Sequence, residues 1–269
     1  MPKFFVASHQ IQNDVVTIIG EDVNHIASVL RLQKEDEIIV CDKDEVTSYR
    51  TRITGINKEQ VVCKIIEKIT ETTESNVEVT IFQGLPKSDK MEYIIQKATE
   101  LGAKEIVPVA MKRCVVKLEG KDEVKKIDRW QKIAEVAAKQ SGRDRIPNVH
   151  KVMKFQEMKN IISEFDVFIV AYEGEKQTTL RQILVKECMK RLEKNLKDLS
   201  QKQLGDKIKK EKVPLKIGVV IGPEGGLESQ EVEELQKCGA KIITLGNRIL
   251  RTETASLAIL SIIMYELES

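Results

Sequence analysis

The chain has 269 residues, of which 41% are hydrophobic and 32% are charged, so it can form a sizeable core beneath a solvated surface. Its five cysteines are scattered without a C-x-x-C pair, and its three histidines lie far apart, which argues against a disulfide framework and a metal site. The apolar runs are too short to span a bilayer, and the first residues do not resemble a signal peptide. We therefore expect a cytoplasmic protein that binds neither a membrane nor a metal ion.

Positive charge is concentrated in the middle of the chain, although the net charge is only +2. Residues 1–74 contain 9 Lys/Arg against 13 Asp/Glu, residues 75–154 contain 17 against 11, and residues 155–269 contain 18 of each. A local excess of cations is typical of a surface that binds an anionic partner. The middle segment is therefore the first place to look for contacts with nucleic acid, although solvated lysines alone would produce the same count.

The first 72 residues predict a small β-barrel. Short runs rich in β-branched residues, such as VVTII and EIIVCD, are separated by polar turns. One helix, roughly 22–30, interrupts them. Several short strands at this spacing are typical of a small barrel. The polar stretch ITETTESN (69–76) has no apolar period, so we expect a linker there.

From residue 77 onward, strands alternate with helices, which predicts an α/β domain with a mostly parallel sheet. The runs KEIVPVA, DVFIVAY, LKIGVVIG and KIITLG have the continuous apolar character of parallel strands buried on both faces. Apolar residues recur at helical spacing over 91–101, and Asp89 with Glu92 predicts a capping box at the start of that helix. A second amphipathic helix is expected to end near Gly142.

A lysine-rich segment, roughly 183–212, interrupts this alternation. Residues 186–212 contain ten Lys/Arg against five Asp/Glu. This composition predicts a solvated helical insertion, and direct contact with nucleic acid is the alternative.

Two glycine-bearing loops follow the last two predicted strands. They are IGPEGGLES (221–229) and LGNRILRTETA (245–255), and neither contains G-x-G-x-x-G or a phosphate-binding G-K-[ST] motif. Ligands bind beyond the carboxyl ends of strands in open α/β sheets, and we expect these two ends to be adjacent. Two ordinary tight turns are the alternative. Arg248 and Arg251 precede the next helix, where cations are unfavourable, which favours a functional role for them.

The two loops are similar to the carboxy-terminal signature of the ribosomal RNA small subunit methyltransferase E family, a member of the SPOUT class of methyltransferases. IGPEGG is followed about twenty residues later by LGNRILRTETA, as in that family. The segments HIASVLRL (25–32), 84–109, 112–117 and 129–147 also occur in the family's order. The resemblance covers nearly the whole chain.

The resemblance implies a PUA-like β-barrel RNA-binding domain at 1–72 and a SPOUT methyltransferase domain at 73–269, an α/β domain whose mostly parallel sheet carries a deep trefoil knot. It also implies a homodimer, S-adenosyl-L-methionine as cofactor, and methylation of N3 of one uridine in the 16S rRNA of the small ribosomal subunit. Two alternatives stay open. The chain could modify another position, such as a ribose 2′-hydroxyl, or it could be a non-catalytic RNA-binding factor in ribosome assembly.

The cofactor site implied by this resemblance consists of three loops. A third loop follows the strand DVFIVAY, where Glu173 is a candidate for binding the ammonium group of the methyl donor. Backbone groups of glycine loops can recognise adenine while apolar side chains cover its faces. The predicted cofactor residues are Tyr172, Glu173, Ile221, Gly222, Gly225, Gly226, Leu245, Gly246, Ile249 and Leu250. Ordinary core packing is the alternative for each apolar member.

Arg251 is the predicted catalytic residue. Loss of the N3 proton leaves negative charge on uracil, and an arginine could stabilise that charge in the transition state. The alternative is that Arg251 only pairs with Glu253 or Glu224. Glu253 is a second candidate, either as a general base or as a favourable acid in the first helical turn.

The predicted RNA contacts are mostly cations of the basic middle segment. Phosphate contacts should dominate affinity, and the target base must be unstacked to be read. Any single member of the set could instead be a solvated side chain. The set is Lys3, Arg31, Lys87, Lys90, Arg113, Gln140, Arg143 and Arg145. Lys3 stands where relatives of the family commonly carry arginine.

Overall fold

A computed structural model describes residues 1–191 and 214–268 of the chain. The chain forms two compact units, the first made of Met1–Glu74 with Val136–Ile146, and the second of Ser75–Glu135 with Pro147–Ser269. Residues 136–146 lie within the range predicted for the second domain, yet they cluster with the first unit. No helix among the described residues is long and apolar enough to cross a membrane.

The first unit contains the predicted barrel as a half-barrel, a six-stranded mixed sheet. Its strands are β1 (Lys3–Val6), β2 (Ile11–Gln12), β3 (Val15–Ile19), β4 (Glu37–Asp42), β5 (Thr47–Ile56) and β6 (Gln60–Lys68). They are ordered β1-β4-β5-β6-β3-β2, and only the β1–β4 pair is parallel. Helix α1 (Glu21–Asn24) continues as a π-helical turn (His25–Val29), so the predicted helix near 22–30 is confirmed.

Alternate residues of these strands form the core of the first unit. In β3, Val16 and Ile18 are fully buried, whereas Val15 and Ile19 are exposed. This period of two is the signature of a sheet with one face covered and one face in water. A short 3-10 helix (Ser8–Gln10) connects β1 to β2.

A buried carboxylate, Asp144, joins the distant parts of the first unit. It accepts hydrogen bonds from Lys3 Nζ at 2.6 Å, from the hydroxyl of Ser48, and from the backbone N–H of Thr73 at 2.8 Å. Burial alone would raise the pKa of Asp144, but these donors outweigh it and lower the pKa to about 2. Asp144 therefore stays charged and ties the end of the half-barrel to residues 136–146.

The polar stretch 69–76, predicted as a linker, forms part of the same network. Glu74 accepts hydrogen bonds from Arg143 Nη2 at 2.5 Å and from the backbone N–H groups of Asp144 and Arg145 at 3.0 and 3.1 Å. The stretch has no regular secondary structure, because its polar groups bind a neighbouring loop instead of a strand. Polar composition alone does not reveal such contacts.

The second unit contains a seven-stranded parallel sheet within its described residues. Its strands are β7 (Val77–Gly84), β8 (Glu105–Ala110), β9 (Asn148–Val149), β10 (Met153–Lys154), β11 (Val167–Ala171), β12 (Leu215–Ile221) and β13 (Lys241–Ile243). The order is β10-β8-β7-β12-β11-β13, with β9 also on β8. Strand β11 therefore lies between β12 and β13, and the prediction that the last two strand ends are adjacent is wrong.

Helices cover this sheet. They are α2 (Lys90–Glu100), α3 (Gly120–Ser141), α4 (Phe155–Asn160), a 3-10 turn (Ile162–Glu164), α5 (Leu180–Arg191), α6 (Ser229–Lys237) and α7 (Thr252–Leu267). The predicted helix near 91–101 is confirmed, but its capping box is wrong, because the Asp89 side chain makes no cap hydrogen bond. Glu92 instead pairs with Arg129 at 2.7 Å.

The strand order does not test the predicted lysine-rich insertion or the predicted trefoil knot. The insertion predicted at 183–212 begins within α5, and residues 192–213 lie outside the described residues. The trefoil knot stays a prediction.

The lowered pKa of Asp144 predicts that the free energy of unfolding depends on pH. Because its folded pKa lies near 2 and its usual value is 3.8, its contribution is present above that usual value and is lost as pH falls. The free energy of unfolding of the wild-type protein should exceed that of the Asp144→Asn variant. This margin should shrink by about 2 kcal/mol as the pH falls from about 5 to about 2. Urea denaturation at several pH values measures this margin.

The exposed Asp128 provides the control. Asp128→Asn should change the free energy of unfolding by less than about 0.5 kcal/mol at each pH. A margin for Asp144→Asn that stays constant across the range would contradict the assigned role.

Candidate functional site

The carboxyl ends of four neighbouring strands form one row in the second unit. Ala171 of β11 is in register with Ile221 of β12 and with Ile243 of β13, and Ile221 is in register with Gln83 of β7. Because all four strands are parallel, the loops that follow them leave the sheet at the same edge. The loops after β11, β12 and β13 surround a cavity of about 370 Å³.

Close backbone packing shapes the loop after β12. A Cβ atom on Gly222 would lie 3.0 Å from the carbonyl carbon of Gly226, and one on Gly84 would lie 2.6 Å from Pro223 Cδ. Gly226 has a φ of +69°, in the region that favours glycine. The loop therefore folds back on itself and against the end of β7, which requires glycine at these positions.

A buried hydrogen-bond network, which the sequence analysis did not predict, lies beneath the cavity. Thr252 Oγ1 donates to the carbonyl of Gly222 at 2.7 Å and accepts from Gln83 Nε2 at 2.8 Å. Gln83 Oε1 accepts in turn from Ser256 Oγ at 2.5 Å. Gln83 and Ser256 are fully buried. Two features of the sequence could have indicated this network. One is a glutamine within an apolar strand, and the other is the pair Thr252 and Ser256, one helical turn apart.

Most predicted cofactor residues line the cavity. The members that line it are Tyr172, Glu173, Ile221, Gly222, Gly226, Leu245, Gly246, Ile249 and Leu250. Gly225 does not line the cavity. Its carbonyl accepts a hydrogen bond from Arg113 Nη1 at 2.8 Å. Core packing explains Ile221, which is 3% exposed, but it does not explain Ile249, which is 82% exposed at the cavity.

The loop after β11 is fastened to the loop after β13. Tyr172 N–H donates to the carbonyl of Ile243 at 3.0 Å, and Thr244 N–H donates to the carbonyl of Thr178 at 2.9 Å. Within the described chain, the exposed carboxylate of Glu173 has no hydrogen bond or ion pair. The site therefore presents an unpaired carboxylate at the cavity.

Arg251 is exposed at the cavity and is the N-cap residue of α7. Among the residues that the structure describes, its guanidinium group has no hydrogen bond or ion pair. The alternative that Arg251 pairs with Glu253 or Glu224 is therefore wrong. Lys90 Nζ holds both of these carboxylates, at 2.9 Å from Glu224 Oε1 and 3.5 Å from Glu253 Oε2.

The pKa values of this cluster follow from the same contacts. Burial raises the pKa of Glu224, but hydrogen bonds from Lys90 and from the Lys87 N–H outweigh it, so the pKa lies below its usual value. The hydrogen bond to Glu224 raises the pKa of Lys90. Lys90 and Glu224 are therefore both charged near neutral pH.

The structure separates the predicted RNA contacts into free and internally paired side chains. Lys3 and Arg143 are buried in the first unit and pair with Asp144 and Glu74, so the prediction that they contact RNA is wrong. Lys90 is held by two carboxylates, as described above. The members that stay predictions are the exposed or half-buried residues Arg31, Lys87, Arg113, Gln140 and Arg145.

Comparison with known proteins identifies the class. Residues 73–264 match the family model of an RNA methyltransferase domain, and residues 18–66 match that of an RNA methyltransferase PUA domain. The parallel sheet with its cavity at the strand ends and the half-barrel before it are therefore the two parts of an RNA methyltransferase.

Full-length relatives identify the family. Ribosomal RNA small subunit methyltransferase E from Bacillus subtilis is 38% identical over 272 residues, covering 100% of this chain and 98% of that protein. The protein of the same name from Mesomycoplasma hyopneumoniae is 30% identical, with 97% and 98% covered. The crystal structure of that enzyme from Neisseria gonorrhoeae, bound to S-adenosyl methionine, is 27% identical with a TM-score of 0.78, covering 98% of this chain and 97% of that one. The chain belongs to the ribosomal RNA small subunit methyltransferase E family.

The buried network predicts that two threonines of α7 contribute differently to the free energy of unfolding. Thr252→Val removes the donor to Gly222 and the acceptor for Gln83, and it should lower the free energy of unfolding by about 1–3 kcal/mol. Thr254→Val makes the same substitution on an exposed side chain of the same turn, and it should cost less than about 0.5 kcal/mol. Urea denaturation of both variants measures the difference. Equal effects would show that the network does not stabilise the site.

Proposed function

We propose that the chain transfers a methyl group from S-adenosyl-L-methionine to N3 of a uridine in the 16S rRNA of the small ribosomal subunit. The observation that carries this proposal is Arg251, an unpaired guanidinium at the mouth of the cavity. Membership of the small-subunit rRNA methyltransferase E family supports the substrate class. In this proposal residues 73–269 carry methyl transfer, residues 1–72 contribute RNA binding, and the protein acts in the cytoplasm.

The cavity suits the proposed cofactor in size and chemistry. A volume of about 370 Å³ lies in the range of small-molecule sites. Leu245, Ile249 and Leu250 provide apolar surface for an adenine ring, and the glycine loops provide backbone donors and acceptors. Glu173 provides an unpaired carboxylate for the ammonium group. The related enzyme from Neisseria gonorrhoeae binds the same molecule.

The residues of the site would align the reactants and stabilise charge. When bound, S-adenosyl-L-methionine supplies an electrophilic methyl group on a sulfonium. Uridine N3 becomes nucleophilic when it loses its proton, and the resulting charge spreads over N3 and the two carbonyl oxygens. Arg251 can donate a planar fork of hydrogen bonds to those oxygens. Alignment of the two reactants supplies the rest of the rate enhancement.

We assign Glu253 a structural part in this mechanism. It lies in the first turn of α7, where an acid interacts favourably with the unpaired N–H groups of the helix. Its Oε2 atom lies 3.5 Å from Lys90 Nζ. This ion pair and the position in the first turn favour the first-turn role over the catalytic one.

The proposed RNA contacts are Arg31, Lys87, Arg113, Gln140 and Arg145. Apart from Arg113, whose Nε lies 4.0 Å from Glu228, their side chains have no ion pair within the described residues. The cations of this set would supply the phosphate contacts that dominate RNA affinity, and Gln140 would add a neutral hydrogen bond. The proposed homodimer would cover the exposed face of α2 and α7, where Tyr93 is 49% exposed and Tyr265 is 78% exposed.

A transfer assay with a labelled donor tests the cofactor and the position together. The protein is incubated with small ribosomal subunits from cells that lack its gene and with S-adenosylmethionine carrying a deuterated methyl group. After digestion of the RNA, mass spectrometry should find deuterated 3-methyluridine. Label in a 2′-O-methylated nucleoside would support the alternative position. Absence of label from all nucleosides would contradict the proposed function.

A further inference from the structure

The unpaired state of Arg251 needs an explanation, because one acidic residue is close to it in the chain and another lines the same cavity. Glu253 follows it by two residues, and Glu224 lines the same cavity. A guanidinium beside free carboxylates pairs with them readily, since such contacts are charge-assisted and bidentate. An arginine bound in that way would have to give up a partner before it could bind a different anion.

Lys90 contacts both of these carboxylates, through a hydrogen bond to Glu224 and a longer ion pair to Glu253, whose Oε2 atom has no hydrogen bond within the described residues. It is the first residue of α2, and its ammonium group reaches Glu224 at 2.9 Å and Glu253 at 3.5 Å. The three side chains are 31%, 27% and 17% exposed respectively, so solvent screens the cluster only in part. The backbone N–H of Lys87 also donates to Glu224, at 3.0 Å, and holds that carboxylate on the side of α2.

We propose that Lys90 is a positioning residue that engages Glu224 and Glu253 and thereby keeps the Arg251 guanidinium free for the anionic uracil. The inference rests on the proposed function, in which that guanidinium stabilises the developing charge. It replaces the prediction from sequence that Lys90 contacts RNA. Lys90 also offsets negative charge that would otherwise oppose the formation of an anion at this site.

The chemical reactivity of Arg251 tests, without an activity assay, whether Lys90 keeps the Arg251 guanidinium free. Phenylglyoxal condenses with accessible, unpaired guanidinium groups, and mass spectrometry of peptides measures the rate at each arginine. In Lys90→Met the released carboxylates should pair with Arg251, and its modification should slow about two- to fivefold, the scale of one partly screened ion pair. The exposed Arg31 in the first unit serves as the internal reference.

A variant that lacks the carboxylates of Glu224 and Glu253 distinguishes the positioning role of Lys90 from a direct contact with RNA. In a chain that already carries Glu224→Gln and Glu253→Gln, Lys90→Met should change neither the reactivity of Arg251 nor the single-turnover methylation rate. In the wild-type background the same change should lower that rate about two- to fivefold while RNA affinity stays constant. Lys97→Met is the matched control, because Lys97 lies on the same helix and pairs with Glu100 at 2.7 Å away from the cavity.

Two results would overturn the inference. Unchanged reactivity of Arg251 in Lys90→Met would show that Lys90 does not keep it free. A loss of RNA affinity that matches the loss of activity, and persists in the background without the acids, would make Lys90 an RNA contact. Absence of methylation by the wild-type protein would instead contradict the proposed function, while the reactivity measurement would still decide the role of Lys90. Melting temperatures of all variants confirm that they are folded.

Discussion

The hydrogen bond from Thr252 to the carbonyl of Gly222, 2.7 Å long, joins the start of the last helix to the loop after β12. Gln83 supports it from the end of the neighbouring strand, so the contact is anchored in the sheet. Without this bond a half-buried carbonyl would lose its partner, at a cost of about 1–3 kcal/mol. Because Arg251 immediately precedes Thr252, the same bond positions the guanidinium at the cavity.

Charge is distributed in the site so that two groups stay available. Lys90 occupies the carboxylates of Glu224 and Glu253, while Glu173 and Arg251 have no partner among the described residues. An unpaired carboxylate and an unpaired guanidinium at the same cavity suit a ligand with a cationic end next to a substrate that becomes anionic. This accounts for an arginine at a helix N-terminus, where local electrostatics disfavours it.

Sequence patterns predicted the elements well, because burial periodicity is local. The strands of both units and α2 follow from such patterns, and the two glycine loops do line one cavity. Contacts between distant residues were not predictable in this way. The position of β11 between β12 and β13 depends on the sheet order, and the burial of Lys3 and Arg143 depends on carboxylates far away in the chain. A lysine in a basic segment appears free in the sequence, whereas Lys90 is held by two acids.

The most direct test of the account is single-turnover methylation by Arg251→Lys, with donor and RNA affinities measured separately. Lysine keeps the charge but loses the planar fork of donors, so the rate should fall by about 10²–10³ while both affinities stay nearly constant. A loss of RNA affinity in proportion to the loss of rate would show that Arg251 only positions the RNA, and it would contradict the account.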